Sequence, residues 1–449
     1  MPLKRPAAGG ESCEAGFFLR QLGSFIPDCA RHICVCSFSA DNNVIIKVLH
    51  KKRKGERKMK KKRFLSLLLT IVMLVSTLAM SGCGTQNQSA NGNYDGELVY
   101  DHSMELQYAK LFSVDYYKGG YKLITITNRD EDTAIVSKQS KLLLVPEGMS
   151  TPSGIDSDTV VLNAPVTNML VSSTPVTSLM SASDCLDSIS QVTYEKKSWY
   201  IDAVKQAFDD GKLTYVGDYK APDYETIIAG APTLAIFSTM LTSVPDVAEK
   251  LKELGINYIL DQSTYEDHPL GRVEWAKLYA ALCDKEESAT QMYNAQAAYV
   301  DTLSKAENTG KSVAVFYITS KGKLYVRNAG DYLAQMVNIA GGNYVFSDLN
   351  TDKTGTQEMG IESFYEKAKD ADYVIYVWNL GGKPSTLSDF TGYNSVLSDL
   401  KAVKDGNVWC TTPDFFQIAD TIGSMINDIN LMLNADSNTT ELTYLKKLK

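Results

Sequence analysis

Few side chains in this sequence are of the types that bind metals or transfer protons, and His268 is the clearest of them. It lies in the run YEDHP that begins at Tyr265, beside two carboxylates. A site for a bare zinc or manganese ion needs several histidines and carboxylates around one ion. After residue 82 the sequence has only His102 and His268. A bare-ion cage is therefore not expected. His268 is predicted to form a hydrogen bond within its loop, with contact to a chelated metal as the alternative.

Two arginines and one tryptophan are the remaining candidates for binding chemistry. Arg272 follows Gly271 at the start of a predicted helix, where the helix dipole disfavours a cation. Arg327 lies in a short strand and turn just before Gly330. A cation placed against this trend invites a functional explanation, so contact with a ligand and a structural role are both open for these two arginines. Trp378 ends an apolar strand, and its position fits either a core residue or the rim of a cleft.

No enzymatic motif accompanies these residues. The sequence lacks a GxSxG elbow, a P-loop, a GxGxxG run after a strand and an HExxH pair. Asp267 and His268 with a distant serine resemble part of a catalytic triad, but isolated residues of these types occur in most proteins. The sequence therefore does not predict an enzyme, and no resident cofactor is expected.

The segment that begins at Met59 has the composition of an export signal. It runs from basic MKKKRF through an apolar stretch at 64–80 to Ser81-Gly82-Cys83. The ending LAMSGC resembles a bacterial lipoprotein signal, in which the cysteine is acylated and becomes the new N-terminus. Residues 59–82 are thus predicted to be a lipoprotein signal peptide, and Cys83 the lipidated residue. The alternative is a permanent transmembrane anchor, because this apolar stretch is at the lower limit for spanning.

The segments on either side of this signal have no recognisable fold. Residues 83–97 are polar and without periodicity, which predicts a flexible tether. Residues 1–58 are rich in cysteine and basic residues and match nothing downstream. Either the natural chain begins at Met59, or residues 1–58 are a genuine extension to which no structure is assigned.

Charge and cysteine content narrow the class of protein further. The first 82 residues hold 15 Lys and Arg against 5 Asp and Glu, whereas the remainder holds 30 against 48. A body this acidic argues against a nucleic-acid partner. Only Cys185, Cys283 and Cys410 follow Cys83, widely spaced and without a CxxC pair. They are interpreted as small buried apolar residues, and no disulfide framework is predicted.

The pattern of predicted elements indicates two α/β lobes. Residues 97–146 alternate between apolar and polar, which predicts short antiparallel strands. After residue 165, short strands alternate with helices, first up to residue 282 and again after residue 312, which predicts mostly parallel sheets with helices on both faces. A long helical stretch at 284–306 separates the two sets, with Asp284 and Glu287 as a predicted capping box. The expected organisation is an N-terminal lobe at 98–283, a connecting helix at 284–308 and a C-terminal lobe at 309–449.

Four segments carry a resemblance to a known family. They are PDYETIIAGAPTLAIFSTM, the stretch PDVAEKLKELGINYILDQSTYEDHPLGRVEWAKLYAALCDKEESA, RNAGDYLAQMVNIAGGNYVF, and KAVKDGNVWCTTPDFF. In this order, after a lipoprotein signal, they resemble the substrate-binding proteins of ABC importers for iron complexes, haem and cobalamin, across about residues 98–435. The resemblance implies two Rossmann-like lobes joined by one rigid helix, with ligand bound between the lobes. It also implies a monomer outside the cell membrane that delivers an iron chelate to a permease and its ATPase.

Carried over by position, the resemblance places the ligand against the loops that follow the strands. In the first lobe these residues are Ser172, Ser173, Thr174, Ser238, Thr239, Met240, Tyr265, His268 and Arg272. In the second lobe they are Tyr317, Arg327, Asn328, Trp378, Asn379, Phe415 and Phe416. Aromatic rings suit flat chelates, and arginine and hydroxyl groups suit the carboxylates or phenolates of a siderophore.

The resemblance also implies acidic residues that contact the permease, for which Asp246, Glu249 and Asp389 are the candidates. Haem or cobalamin remains an alternative ligand. A lipid-anchored sensor or enzyme on the same fold remains an alternative function.

Overall fold

The computed structural model describes residues 97–305, 307–434 and 441–449. The predicted extension at 1–58, the signal peptide at 59–82, Cys83 and nearly all of the tether lie outside these residues. The prediction of two α/β lobes joined by a helix, with additional strands at the N-terminus, is confirmed. Both lobes belong to one compact unit that spans Ala90–Lys449.

The N-terminal strands form a five-stranded sheet in chain order. They are β1 (Tyr100–Ser103), β2 (Phe112–Tyr117), β3 (Lys122–Thr127), β4 (Gln139–Pro146) and β5 (Thr159–Ala164). The alternation of residues 121–127 buries Ile124 and Ile126 on one face, as the pattern predicts. Gly119 and Gly120 have φ angles of 86° and 87° and form the tight turn between β2 and β3. The first four strands are antiparallel, but β5 pairs with β4 in parallel.

The first lobe contains a parallel sheet with the order β12-β11-β6-β7-β8. The strands of this region are β6 (Met169–Ser172), β7 (Ile189–Val192), β8 (Thr214–Tyr215), β11 (Ala235–Ser238) and β12 (Tyr258–Asp261), with a separate hairpin of β9 (Gly217–Asp218) and β10 (Ala221–Pro222). Its helices are α1 (Thr174–Ala182), α2 (Asp202–Asp209), α3 (Tyr224–Gly230), α4 (Pro245–Glu253) and α5 (Pro269–Leu282). Because the strands are parallel, Ser172, Ser238 and Asp261 all lie at one edge of the sheet.

Helix α5 differs from its prediction as a helix with one apolar face. All of its residues are buried, including Arg272, Glu274 and Lys277. The reason is that residues 105–111 cover its polar side, where the carboxylates of Glu266 and Glu274 accept hydrogen bonds from five consecutive backbone N–H groups of residues 107–111. The sequence pattern of α5 alone gives no sign of this cover.

The connecting helix α6 (Glu286–Ser304) follows α5 after a short corner. At about 1.5 Å per residue its length is roughly 28 Å. The predicted capping box is wrong, because Asp284 has a φ of 56° and Lys285 precedes the helix without a side-chain cap. Lys122 of the N-terminal sheet instead bonds to Asp284 and Glu286. Toward the other lobe, Gln296 accepts a hydrogen bond from the backbone N–H of Gly423 at 2.9 Å. These contacts hold the start and the middle of the helix.

The second lobe is a mixed sheet with a parallel centre. Its strands are β13 (Ser312–Ile318), β14 (Leu324–Arg327), β15 (Asn343–Tyr344), β16 (Thr356–Met359), β17 (Tyr373–Tyr376), β18 (Val408–Thr411) and β19 (Leu445–Lys447). Strands β13, β15, β17 and β18 pair in parallel. Strand β14 is antiparallel to both of its neighbours, β13 and β16, and β19 is antiparallel to β18. The helices are α7 (Tyr332–Ile339), α8 (Ile361–Ala368), α9 (Leu387–Thr391), α10 (Lys401–Lys404) and α11 (Ile422–Asn434). Within the described ranges, none of these helices combines the length and apolarity needed to cross a bilayer.

Candidate functional site

The first lobe presents hydroxyl groups at the carboxyl edge of its parallel sheet. Ser172 ends β6, and its hydroxyl lies 2.8 Å from that of Thr193, which follows β7. Ser173 precedes α1 and its side chain does not cap that helix. Thr239 follows β11, and its hydroxyl lies 3.0 Å from that of Tyr265, which follows β12. Among the other predicted residues, Thr174 is buried at the start of α1, and Met240 is exposed.

A loop of the second lobe reaches this edge and joins the two lobes. The side chain of Gln417 donates to the carbonyl of Ser198 at 2.7 Å and accepts from the N–H of Tyr200 at 3.0 Å. The hydroxyl of Ser178 in α1 donates to the carboxylate of Asp420. We call these contacts, made by Gln417 and Asp420, the interlobe bridge. No sequence pattern predicted it, because its partners are more than 200 residues apart.

A narrow cavity with a volume of about 10 Å³ lies between the lobes. Its lining combines Arg272 of the first lobe with mostly aromatic and apolar side chains of the second, namely Tyr332, Phe415, Phe416, Ala419, Ile422 and Met425. This volume is far below the roughly 300–1,000 Å³ of small-molecule sites. A ligand the size of a siderophore therefore requires some separation of the lobes.

Arg272 and Tyr332 form a pair across the two lobes. The guanidinium carbon lies 3.7 Å from the centre of the tyrosine ring, so the two groups stack. Arg272 is 7% exposed, and its Nε atom has no hydrogen-bond partner. Within the described part of the chain no carboxylate lies within 4.0 Å of this guanidinium. Burial raises the pKa of the nearby Asp261, and the charge of Arg272 acts against that shift.

Arg327 forms a second pair with an aromatic residue of the same cavity. Its guanidinium carbon lies 5.8 Å from the centre of the Phe416 ring. The side chain is 6% exposed, and both Nε and Nη2 lack a hydrogen-bond partner. Its nearest carboxylate is that of Asp331 at 3.7 Å, which already accepts from the N–H groups of Leu333 and Gly355. The charge of Arg327 is therefore only weakly compensated.

Arg129 and Tyr265 form a third pair, at the edge of the first lobe. The guanidinium carbon lies 3.2 Å from the centre of the ring, and the Nε atom again lacks a hydrogen-bond partner. Glu131 forms an ion pair with Arg129 at 2.7 Å. Neither Arg129 nor Tyr332 was among the binding residues predicted from the sequence. One signal could have found them: after residue 82 the chain has only three arginines, and all three form these arginine–aromatic pairs.

Several predicted residues have structural partners in this conformation. Asn328 donates to the carbonyl of Thr354 and accepts from Asn350. Asn379 donates to the carbonyl of Pro413 at 2.6 Å, which supports the loop of the interlobe bridge. Tyr317 stacks on its neighbour Tyr325 across the hairpin of β13 and β14. Trp378 is half-buried, with the ammonium of Lys383 4.5 Å from the centre of its ring.

His268 lies at the N-terminus of α5, away from the narrow cavity. Its Nδ1 atom accepts a hydrogen bond from the N–H of Leu270 at 3.1 Å, and its ring stacks on Tyr108 at 3.9 Å. Burial lowers the pKa of His268, which favours the neutral ring that this acceptor role requires. The geometry matches the predicted hydrogen bond within the loop.

Comparisons with known proteins agree with this architecture. A family model described as periplasmic binding protein matches residues 190–415. An uncharacterized lipoprotein of Methanocaldococcus jannaschii is 28% identical over 373 residues, which cover 78% of this chain and 88% of that protein. A second uncharacterized lipoprotein of the same organism is 27% identical over 402 residues, which cover 85% of this chain and 99% of that protein. A solved periplasmic binding protein from Veillonella parvula has a TM-score of 0.50 at 17% identity, covering 70% of this chain and 98% of that one, and shares the fold.

Proposed function

Because this chain belongs to the periplasmic binding protein family, we propose that it is the solute-binding component of an ABC importer and that it captures an anionic iron chelate between its lobes. The M. jannaschii relatives are named lipoproteins, which supports an anchored protein outside the cell membrane. The chelate is the cargo of the protein and not a resident cofactor.

The observation that supports this proposal is that Arg272 and Arg327 are buried with some of their hydrogen-bond donors unsatisfied. Arg272 lines the interlobe cavity, and Arg327 lies over the ring of Phe416 in the lining of that cavity. Both side chains are buried, and three of their guanidinium nitrogens have no acceptor. A buried cation without a partner is costly, and this cost falls when a ligand supplies the anion. The planar guanidinium matches the paired oxygens of a carboxylate. Tyr332, Phe415 and Phe416 supply flat faces for an aromatic or conjugated ligand.

Ligand entry requires the interlobe bridge to open. The bridge consists of a few hydrogen bonds from Gln417 and Asp420. Helix α6 is held at its start and its middle, so the lobes are expected to separate by a small rotation rather than by a large hinge motion. The bridge would re-form over the bound chelate and shield its contacts with the arginines from water.

A ligand screen tests the proposal. The mature lipoprotein in detergent would be mixed separately with ferric siderophores, haemin, cobalamin, Zn²⁺ and Mn²⁺, with thermal unfolding and tryptophan fluorescence as readouts. A ferric chelate at 100 times its Kd is expected to raise the Tm by roughly 5 °C or more. A Tm increase with haemin or cobalamin alone would support the alternative ligand. A Tm increase with only Zn²⁺ or Mn²⁺ would contradict the chelate proposal.

Membrane attachment is a separate prediction. Replacing Cys83 with alanine removes the thiol that would carry the lipid. The C83A protein is expected to move from the membrane fraction to the soluble extracytoplasmic fraction, measured by immunoblotting of fractionated cells. Ser89→Ala, in the same polar tether, is the matched control and should stay with the membrane. Persistent attachment of C83A would indicate a retained transmembrane segment instead.

Contact with the permease is proposed for exposed acidic residues. Asp246 and Glu249 lie close together near the start of α4, exposed and without an ion pair within 4.0 Å among the described residues. Asp389 is also exposed, but its carboxylate accepts two backbone N–H groups at the start of α9, and these hydrogen bonds lower its pKa. Asp246 and Glu249 are therefore the stronger candidates for contact with arginines of a permease.

A further inference from the structure

The two faces of the N-terminal sheet have different surroundings. Phe112 marks the inner face, where its ring centre lies 5.0 Å from that of Trp275 in α5. Side chains alternate along a strand, so Tyr117, five positions later in β2, lies on the opposite, outer face. The outer face has a small core of its own, separate from the core that joins the two lobes and made of Tyr121, Leu143 and Val145.

Apolar side chains remain partly exposed around this small core. Together with Tyr100 of β1 we call them the outer patch, which consists of Leu98, Tyr100, Tyr117, Leu123, Met149 and Ile155. Strand β1 is the edge strand of the sheet. Tyr100 is 55% exposed, and its ring lies edge-on to that of Tyr117 at 6.0 Å. Contiguous exposed apolar surface of this kind marks a contact with another molecule or with lipid.

The position of the outer patch in the chain indicates what covers it. Only residues 84–96 separate Cys83, the predicted site of the lipid, from Glu97, and β1 begins at Tyr100. A polar linker of this length has a root-mean-square span of about 20 Å and reaches at most about 50 Å when fully extended. Strand β1 is therefore the described strand nearest in sequence to the lipid, and the outer patch lies within reach of the membrane surface.

The charged groups beside the outer patch are paired with one another. Lys118 forms an ion pair with Asp101, whose carboxylate also lies 2.9 Å from Nδ1 of His102. The hydroxyl of Ser103 donates to Asp115 at 2.5 Å. Attraction to anionic lipids needs a cluster of Lys and Arg side chains. The contact expected here is therefore aromatic, since a tyrosine ring combines an apolar body with a polar hydroxyl and favours the headgroup level.

We propose that the outer patch rests on the headgroup layer of the membrane to which Cys83 anchors the protein. This inference rests on the anchoring in the proposed function and adds a second contact to it. An acyl anchor on a linker leaves the folded body free to turn, whereas a contact through Tyr100 and Tyr117 fixes its orientation. Because the inner face of the sheet packs on α5, the lobes then lie on the side away from the membrane surface.

The test uses tryptophan as a reporter of lipid contact. The mature lipoprotein, native or with Tyr100→Trp, would be reconstituted into phosphatidylcholine vesicles with or without a nitroxide on the headgroup. The emission that Y100W adds to the native signal is expected to fall by about half with the nitroxide, because the indole lies at the headgroup level. The matched control is Tyr215→Trp, at a tyrosine of β8 in the first lobe that is 38% exposed, and its added emission should not change.

A second reporter guards against a local effect of the first. Met149→Trp lies in the same outer patch and should be quenched in the same way, with the Tm of each variant showing that it folds. High salt should leave the quenching unchanged, because salt screens contacts between exposed charges and this contact is aromatic. Quenching that disappears at high salt would contradict the proposed mode of contact.

Vesicle flotation separates this proposal from the anchoring on which it rests. If the protein floats with the vesicles but neither reporter is quenched, the outer patch does not touch lipid and only this proposal is wrong. If the protein does not float, the anchoring fails and this proposal fails with it. A Tyr100→Cys protein that forms disulfide-linked dimers, with no quenching of the reporters, would assign the outer patch to a second copy of the chain and also overturn the proposal.

Discussion

Replacing Arg272 with alanine is expected to weaken binding of an anionic ferric chelate by two orders of magnitude or more. The variant removes a buried guanidinium that would bond to the ligand, and truncating one partner of such a pair costs about 2–5 kcal/mol. Arg327→Ala is expected to act in the same direction. The measurement is the Kd from fluorescence quenching or calorimetry at fixed pH and ionic strength, with the chelate that the ligand screen identifies.

Two further variants separate charge from geometry. Arg272→Lys keeps the charge but loses the planar fork and most of the stacking on Tyr332, so it should recover only part of the lost affinity. The matched control is Lys252→Ala. Lys252, in α4, also lies near a tyrosine ring, 5.9 Å from the centre of Tyr258, and Tyr258 begins β12 at the opposite edge of the sheet. If the Kd of both R272A and R327A stays within twofold of the native value, neither arginine contacts the ligand and the prediction is wrong.

The sequence predicted the fold well where the local pattern and the tertiary environment agree. Helices α3 and α7 lie within the predicted alternation of strands and helices, and a cap residue and an apolar face mark each of them. Asp223 and Asp331 each accept a hydrogen bond near the start of these helices. The buried strands β6, β11, β13, β17 and β18 were similarly clear, since buried parallel strands are continuous apolar runs, whereas β7, β16 and β19 were not predicted.

The sequence was less informative where a residue depends on distant partners. Arg272 and Arg327 were selected by their local positions, but Tyr332 and Gln417 were not, because nothing in their neighbourhoods indicates a contact with the other lobe. Asp284 was assigned to a cap that does not form, since Lys122 bonds to its carboxylate. Each error involves a contact between residues 60 or more positions apart.

Helix α5 presents the largest difference between pattern and structure, and it leads to a strong stability prediction. Glu274 is fully buried, and its carboxylate accepts from the N–H groups of Gln107, Tyr108 and Ala109 at 2.8–3.0 Å. It also pairs with the ammonium of Lys277 at 2.8 Å. Glu274→Ala would leave these buried N–H groups without acceptors and Lys277 without its counter-charge. The free energy of unfolding is expected to fall by about 3–5 kcal/mol.

Urea denaturation followed by circular dichroism measures this loss. Glu274→Gln keeps one oxygen acceptor and should lose less stability than Glu274→Ala. The control is Glu287→Ala on α6, where the exposed carboxylate accepts only from Gln291 one turn later and the expected change is within about 0.5 kcal/mol. A loss below about 1 kcal/mol in E274A would mean that residues 107–109 do not depend on this carboxylate. Since Arg272 lies two residues before Glu274 on the same buried helix, the segment that holds Glu274 in place also positions the guanidinium proposed to bind the chelate.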